Sequence, residues 1–516
     1  MKKVLLLSAA LLSASLTHAD SQMDEYQKWR EKELKSFQSY LDENDKAFLK
    51  FLKAQWKPVD VKPAEKRDPK PKPKTFPKAP EVKPTPAPVT APVPVPVKPP
   101  VVKKPDATKP QPSKPTIAKP EPKKPTQVQQ PAIAKKPDTV KKPTVSPATE
   151  IKSKSVRTAK FNFYGNPVKI EYPKNFKRIF AGKLNSEKIA AYWQYLASKE
   201  HKPTIEQLKQ TAARLKLNDW GTALLFDRFA GSILRQETSR RLTTWFLLVK
   251  AGFDARVAYN NKLHLLIPSK QDLFGVTFFK LGGKKYYAVN LNGKQLKPGK
   301  VFTYGGQHGA GSKTLDFSQP NEFVAQGKHA KRALTFGYGG KDYKITVDYP
   351  ARYVSYFNSF PQLSLPNYFK AGLPAVTSAS LLDQLRPVVA GQNEQEAVNR
   401  LLRFVQTAFK YKTDDQQFKE ENYLFPLETL HYPYSDCEDR AALFAWLTES
   451  LLGLDVIILD YPGHVATAVN FNSKVKGDAW QYQGKRYVVA DPTYINANAG
   501  MTMPQFAGKA PKVQQF

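Results

Sequence analysis

The chain has 516 residues, a formal net charge of +35 and one cysteine, Cys437. This length predicts more than one folded unit, and a single cysteine excludes an internal disulfide framework. The basic charge favours acidic partners, but no segment resembles a nucleic-acid-binding motif, so we expect no nucleic-acid partner.

Residues 1–19 have the pattern of a secretory signal peptide. Lys2 and Lys3 precede an apolar stretch at residues 4–16, and the segment ends in Ala19, a small residue suited to cleavage. The apolar stretch is short for a bilayer span, and no later stretch is long and apolar enough to be one. We therefore expect a periplasmic or secreted protein with no transmembrane segment.

Residues 20–56 are predicted to form an amphipathic helical segment, because apolar residues recur at spacings of three and four among many charges. These apolar residues are Tyr26, Trp29, Phe37, Tyr40, Leu41, Phe48, Leu49 and Leu52. Two interpretations of residues 21–56 stay open. The segment is either a solvated helix or an element that docks a partner or mediates oligomerisation.

Residues 57–155 are predicted to form a disordered Pro/Lys-rich linker. Positions 57–150 contain 26 of the 43 prolines, and 21 Lys or Arg against 8 Asp or Glu. Such a composition cannot form an apolar core and favours polyproline II conformation. About +21 of the net charge remains in residues 151–516. The folded part is therefore basic by itself, which suits contact with an acidic envelope polymer.

The folded part contains an internal repeat. Residues 236–290 align with residues 437–491 at a constant offset of 201 positions. The identical pairs are Glu237/Glu438, Leu242/Leu443, Trp245/Trp446, Gly252/Gly453, Asp254/Asp455, Gly283/Gly484, Lys284/Lys485 and Tyr286/Tyr487. A hairpin is predicted ahead of each segment. We therefore predict an α+β fold with two tandem domains, residues 156–325 (the first copy) and residues 326–516 (the second copy).

The second copy carries three residues with the chemistry of a thiol active site. Cys437 follows the N-cap candidates Ser435 and Asp436, so it is expected in the first turn of a helix, where the macrodipole favours a thiolate. His464 begins a predicted strand, and Asp491 ends another. Antiparallel pairing would put the carboxylate against one ring nitrogen of His464 and leave the other for the thiol.

The first copy lacks this set. Gln236 and Asn290 stand at the positions of the cysteine and the aspartate, and His264 falls one residue from the position of the histidine. Because a glutamine amide is not a nucleophile, we expect the first copy to be inactive. It would bind substrate or cover the second copy.

The segments Ser435-Asp436-Cys437-Glu438-Asp439, His464-Val465-Ala466 and Asp491-Pro492-Thr493 resemble the transglutaminase-like superfamily of papain-type cysteine enzymes. The resemblance covers about residues 435–494. It implies a helix that carries the cysteine and packs on an antiparallel sheet, with Cys437 as nucleophile, His464 as base and Asp491 as orienting acid. The aromatic-flanked cysteine signature of animal cross-linking enzymes is replaced here, which weighs against cross-linking.

We expect an exported protease or amidase that cleaves an amide or isopeptide bond in a protein, a peptide or peptidoglycan. Neither a metal nor a cofactor is expected, because the histidines are scattered and one cysteine cannot form a thiolate metal site. Two alternatives stay open. A transglutaminase or peptidyl transferase would use the same triad with an amine in place of water. A non-catalytic envelope binding or scaffolding protein would use the basic folded part and the linker.

Overall fold

A computed structural model describes residues 43–66, 73, 75–81, 156–293, 298–305 and 311–516. The predicted signal peptide, most of the predicted helical segment and most of the predicted linker lie outside these residues. Within the described ranges, no helix has both the length and the apolar character needed to span a bilayer. The described part is a mixture of helices and mainly antiparallel sheets, which confirms the α+β class.

The described residues before 156 include a helix, α1 at residues 43–53, and a short strand, β1 at Lys57–Val59. The first copy then runs from a hairpin through four helices into a sheet. Its elements are β2 (Val156–Phe163), β3 (Asn166–Pro173), α2 (Ser186–Ala197), α3 (Lys202–Arg214), α4 (Asp219–Ile233), α5 (Glu237–Lys250), β4 (Arg256–Tyr259), β5 (Leu263–Ile267), β6 (Leu273–Phe274), β7 (Phe278–Leu281), β8 (Lys284–Val289) and β9 (Val301–Thr303).

The second copy also begins with a hairpin and ends in a sheet, with more helices between them. Its elements are β10 (His329–Tyr338), β11 (Lys341–Pro350), α6 (Arg352–Phe357), β12 (Gln362–Leu363), α7 (Leu365–Ala371), α8 (Ala375–Val389), α9 (Glu394–Ala408), β13 (Lys410–Tyr411), α10 (Asp414–Phe418), α11 (Pro426–His431), β14 (Tyr434–Ser435), α12 (Cys437–Leu452), β15 (Val456–Tyr461), β16 (His464–Val469), β17 (Ala479–Tyr482), β18 (Lys485–Ala490) and β19 (Lys512–Gln514).

The two copies arrange these elements in the same way. The hairpin β2–β3 packs on α3 and α4, and α4 packs on α5; likewise β10–β11 packs on α8 and α9, and α9 packs on α12. The following sheets have the strand orders β7-β8-β5-β4-β9 and β17-β18-β16-β15-β19, with β1 added beyond β9 in the first. Strands that have the same order along the two copies therefore have the same positions in the two sheets.

Some of the identical residues have the same contact in both copies. Asp254, just before β4, pairs with Lys284 of β8 at 2.8 Å, and Asp455, just before β15, pairs with Lys485 of β18 at 2.6 Å. Each salt bridge joins the chain just before one strand, β4 or β15, to the first residue of a later strand, β8 or β18. The 201-residue offset thus preserves a contact as well as residue identities.

Residues 43–66 pack against the first copy, so the predicted start of the disordered linker at residue 57 is too early. Phe48, Leu52 and Trp56 are buried in the core. After them, β1 pairs with β9, and Lys62 forms a bridge with β7 at the opposite edge of the sheet. Amino-acid composition predicted disorder here because it carries no information about pairing with a sheet edge that is far away in the sequence.

Candidate functional site

Cys437 is the first residue of α12, as the N-cap pattern predicts. The Asp439 carboxylate accepts a hydrogen bond from the backbone N–H of Asp436, the N-cap residue, at 3.3 Å. Gly453 ends the helix with φ of 66°, a left-handed conformation that glycine adopts without strain. Cys437 is fully buried, and its Sγ donates a hydrogen bond to Glu438 Oε2 at 3.1 Å.

The predicted contact between His464 and Asp491 is present. His464 begins β16, which pairs with β18, and Asp491 directly follows β18. His464 Nε2 and Asp491 Oδ2 are 2.8 Å apart, and both side chains are buried. The other ring nitrogen, Nδ1, is buried and has no hydrogen-bond partner among the described residues. The carboxylate therefore orients the ring and leaves Nδ1 able to accept a proton.

Asp491 is itself held firmly. Its Oδ1 accepts hydrogen bonds from the backbone N–H groups of Thr493 at 2.8 Å and Tyr494 at 3.2 Å. Gln406 of α9 donates to the Asp491 carbonyl at 3.0 Å and to the Ala497 carbonyl at the same distance. One carboxylate thus caps the turn after β18 and orients the histidine. The sequence pattern did not identify Gln406.

Aromatic rings surround the imidazole of His464. The Phe506 ring is nearly parallel to it, with centroids 4.9 Å apart, and the Tyr461 ring lies 6.4 Å away. The Phe76 ring, from the region predicted to be a disordered linker, lies 4.9 Å from the imidazole. The histidine side chain is consequently 0% exposed. Such an environment excludes water and strengthens electrostatic interactions at the ring.

The thiol and the imidazole are carried by elements that pack against each other, α12 and β16. Cys437 and His464 Nδ1 are not hydrogen-bonded to each other, because Nδ1 has no such partner among the described residues. The hydrogen bond from Sγ goes to Glu438 instead. For a thiolate–imidazolium pair to form, Sγ therefore has to release its hydrogen bond to Glu438 and bond to His464 Nδ1 instead.

The second copy has an insertion directly before the cysteine. Residues 409–436 separate α9 from α12, whereas residues 234–236 join the corresponding helices α4 and α5. The buried guanidinium of Arg440 fastens the insertion by donating to the carbonyls of Gln406 at 3.3 Å and Phe409 at 2.8 Å. The repeat did not reveal these contacts, because the first copy has no counterpart of the insertion.

A group of carboxylates lies beside Cys437. Side-chain oxygens of Asp414, Asp436 and Asp439 lie within 4.8 Å of one another, and Asp414, Glu421 and Glu438 form a second such group. Burial, followed by the charges of Asp436, Asp414 and Glu438, raises the pKa of Asp439 well above its ordinary value. The carboxyl of Asp439 therefore favours its protonated form, which limits the negative charge beside the thiol.

Two of these carboxylates also hold the insertion, Asp414 from within it and Asp439 from α12. The backbone N–H of Asn422 donates to Asp414 at 2.8 Å, and that of Leu424 donates to Asp439 at 2.8 Å. Carboxylate oxygens are the ligands that Ca²⁺ and Mg²⁺ prefer, so these are the described side chains best suited to a metal ion. Histidine and cysteine spacings do not indicate this group of carboxylates, and Asp414 is far from the cysteine motif in sequence.

In the first copy, the residues that stand at the positions of the cysteine and the aspartate make other contacts. Gln236 Oε1 accepts from the backbone N–H of Phe180 at 3.1 Å, and Gln236 Nε2 donates to the Phe180 carbonyl at 2.9 Å. Asn290 Oδ1 accepts from Arg241 at 3.4 Å. Glutamine and asparagine thus serve as hydrogen-bonding clamps where the second copy has a thiol and a carboxylate.

In the structure, His264 is further from the position equivalent to His464 than the constant offset of 201 positions indicates. The sheets pair Thr467 with Ala490 in the second copy and Leu265 with Val289 in the first. Val289 precedes its counterpart Ala490 by 201 positions, but Leu265 precedes its counterpart Thr467 by 202. Strand β5 is therefore shifted by one residue relative to β16. His264 therefore corresponds to Ala466, and its Nε2 lies 3.1 Å from Asn260 Oδ1.

No family model, curated protein or solved structure matches this chain. The resemblance to the transglutaminase-like superfamily therefore depends on the three short motifs quoted above.

Proposed function

We propose that this protein is a thiol hydrolase, a protease or amidase, with Cys437 as nucleophile, His464 as base and Asp491 as orienting acid. One observation carries the proposal. A buried imidazole is held by a carboxylate through Nε2, with Nδ1 unengaged among the described residues, on a strand that packs against the helix of the only cysteine. A carboxylate, an imidazole and a nucleophile in this order form the usual apparatus of nucleophilic amide cleavage.

The chemistry divides between the three residues. Cys437 Sγ attacks the amide carbonyl carbon while its proton passes to His464 Nδ1, and Asp491 stabilises the resulting imidazolium. The imidazolium then donates the proton to the leaving nitrogen as the C–N bond breaks, which gives a thioester. Water, deprotonated by His464, attacks the thioester, releases the acid and regenerates the thiol. The backbone N–H of Cys437 at the start of α12 is suited to stabilise the oxyanion.

We further propose that the two copies are tandem transglutaminase-like domains, of which only the second retains the chemistry. The shared order of elements and strands supports a common origin. The clamps made by Gln236 and Asn290 support loss of catalysis in the first copy. Together with the predicted signal peptide, this proposal describes an exported, periplasmic or secreted enzyme.

The test is cleavage of a peptide library by the mature protein carrying Phe76→Ala, which removes the ring that lies against His464, with Cys437→Ser in the same background as the matched control. New amino termini that arise only with intact Cys437 are expected. A fluorescent primary amine in the same reaction distinguishes the alternatives, because its incorporation into glutamine-containing peptides would show a transglutaminase. Neither cleavage nor incorporation, with the same result for both proteins, would contradict an enzyme and favour an envelope binding protein.

A further inference from the structure

A part of the predicted linker lies across the candidate active site. The strap, defined as residues 73–81, is described at residue 73 and at residues 75–81. The Phe76 ring lies 4.9 Å from the His464 ring and 5.4 Å from the Tyr411 ring. Tyr411 OH donates to the Pro73 carbonyl at 3.1 Å. The strap thus contacts the catalytic histidine and the insertion that precedes Cys437.

The strap is also held by its backbone beyond the histidine. The N–H of Ala79 donates to the Ile495 carbonyl at 2.9 Å, and Asn496 Nδ2 donates to the Ala79 carbonyl at 3.3 Å. Ala79 is only 3% exposed. Ile495 and Asn496 closely follow Asp491 in the chain. The strap is therefore fastened on both sides of the site by backbone hydrogen bonds, as an extended peptide is in a binding groove.

The residues of the strap that face the protein recur at every third position. Pro73 and Phe76 are half-buried and Ala79 is buried, whereas Thr75, Lys78 and the other described strap residues are exposed. Three residues per turn is the period of a polyproline II helix, which suits a sequence that includes Pro77 and Pro80. One face of the strap thus makes the contacts, and Lys78 stays in solvent.

The strap lies against the catalytic histidine of a site that is closed to solvent. His464 and Cys437 are both 0% exposed, and Phe76 is in ring contact with the histidine. A nucleophile must reach the carbonyl carbon of its substrate, and this closed arrangement leaves no surface of Cys437 accessible. Opening requires the release of few contacts, chiefly the Phe76 ring and the hydrogen bonds of Ala79 and Tyr411.

We propose that the strap is a substrate-like inhibitory segment, and that the groove it occupies selects extended, proline-containing peptides with an aromatic side chain between Tyr411 and His464. This inference rests on the proposed thiol hydrolase activity. It narrows the substrate class from amides in general to polypeptides in extended conformation. It also makes the mature chain latent until the strap leaves the groove.

The experiment measures the rate at which iodoacetamide alkylates Cys437 in the full-length mature chain, where the single cysteine makes mass analysis unambiguous. Phe76→Ala removes the ring on the histidine, and Ala79→Arg places a long side chain at a buried position. We expect both to raise the alkylation rate by about tenfold or more, because each shifts the local opening equilibrium. Lys78→Ala, an exposed position in the same strap, should leave the rate unchanged.

A synthetic peptide tests the groove itself. The nonapeptide with the sequence of residues 73–81, added to the Phe76→Ala variant, should restore protection of Cys437, whereas the same peptide with alanine for phenylalanine should not. Circular dichroism and thermal unfolding establish that the variants are folded.

Two results would overturn the inference in different ways. If alkylation depends on His464 but neither strap variant accelerates it, the strap does not control access, and the proposed function stands. If the strap variants accelerate alkylation but adding His464→Ala to them does not change the alkylation rate, His464 does not activate the thiol. The proposed function then fails, and the substrate-like role of the strap fails with it.

Discussion

At the scale of single residues, Asp491 determines which nitrogen of His464 stays without a hydrogen-bond partner among the described residues. Its Oδ2 contacts Nε2, while its Oδ1 accepts the backbone N–H groups of Thr493 and Tyr494. A carboxylate can accept on both oxygens at once, whereas an amide can accept on only one. This difference makes a conservative substitution informative.

Asp491→Asn should reduce kcat/KM for amide cleavage by about 10²–10⁴-fold with little change in the thermal unfolding midpoint. The asparagine oxygen would keep the two backbone hydrogen bonds and turn its NH₂ group toward Nε2. That donor favours the tautomer with the proton on Nδ1, which cannot take the thiol proton. The measurement, made in the Phe76→Ala background, compares both parameters with those of Thr493→Val, which removes a hydroxyl without a described hydrogen-bond partner. Full activity of Asp491→Asn would contradict the role of the carboxylate.

The sequence predicted this part of the site because its geometry is local. An N-cap, a glycine stop and two strands of one sheet fix where Cys437, His464 and Asp491 lie. Residues that support them were not predictable in this way. Gln406 reaches Asp491 across 85 positions, and its role depends on how α9 packs. No periodicity or spacing in one sequence encodes such a contact.

At the scale of elements, the insertion at residues 409–436 distinguishes the two copies most clearly. It contributes Tyr411, Asp414 and the short helix α11 beside the candidate site. Within α11, burial raises the pKa of Glu428 to about 8, although its carboxylate accepts the backbone N–H of Phe425 at 3.0 Å. The insertion therefore carries a buried acid whose ionisation should affect stability.

Glu428→Gln should remove a pH dependence of stability. Between about pH 4.5 and about pH 8, the folded carboxyl keeps a proton that the unfolded chain releases. Stability of the wild type should therefore fall as the pH rises through this window, by at most ~1.4 kcal/mol per pH unit for this group. Glutamine keeps the acceptor and has no proton to lose. Urea unfolding at several pH values measures the difference.

The side chain of Glu420 is exposed, so Glu420→Gln is the matched control. It should keep the wild-type slope of stability against pH. The same slope in Glu428→Gln as in the wild type would show that Glu428 is not the group responsible.

At the scale of the whole molecule, the N-terminal region contacts both copies. Residues 43–66 pack on the first copy and add a strand to its sheet, and the strap packs on the second. Composition indicated disorder over residues 57–155, but short ordered stretches within that range bind distant surfaces. Tyr411 contacts Pro73 across 338 positions, a separation that no local pattern can reveal.

Phe48→Ala tests whether this region belongs to the folded unit. The Phe48 side chain is 2% exposed and lies 4.7 Å from the Trp193 ring, so its loss should reduce the free energy of unfolding by about 3–5 kcal/mol. Lys50→Ala, exposed on the same helix, should change it by less than about 0.5 kcal/mol. Denaturant unfolding measures both. Equal stability of the two variants would show that α1 does not pack on the first copy.

The most direct test of the thiol site is the pH profile of Cys437 alkylation from about pH 5 to about pH 9 in the Phe76→Ala background, with and without His464→Ala. A thiolate–imidazolium pair predicts alkylation that persists below about pH 7 and collapses when His464 is removed. An ordinary thiol with a pKa of about 8.5, indifferent to His464, would contradict the assignment of Cys437 as an activated nucleophile.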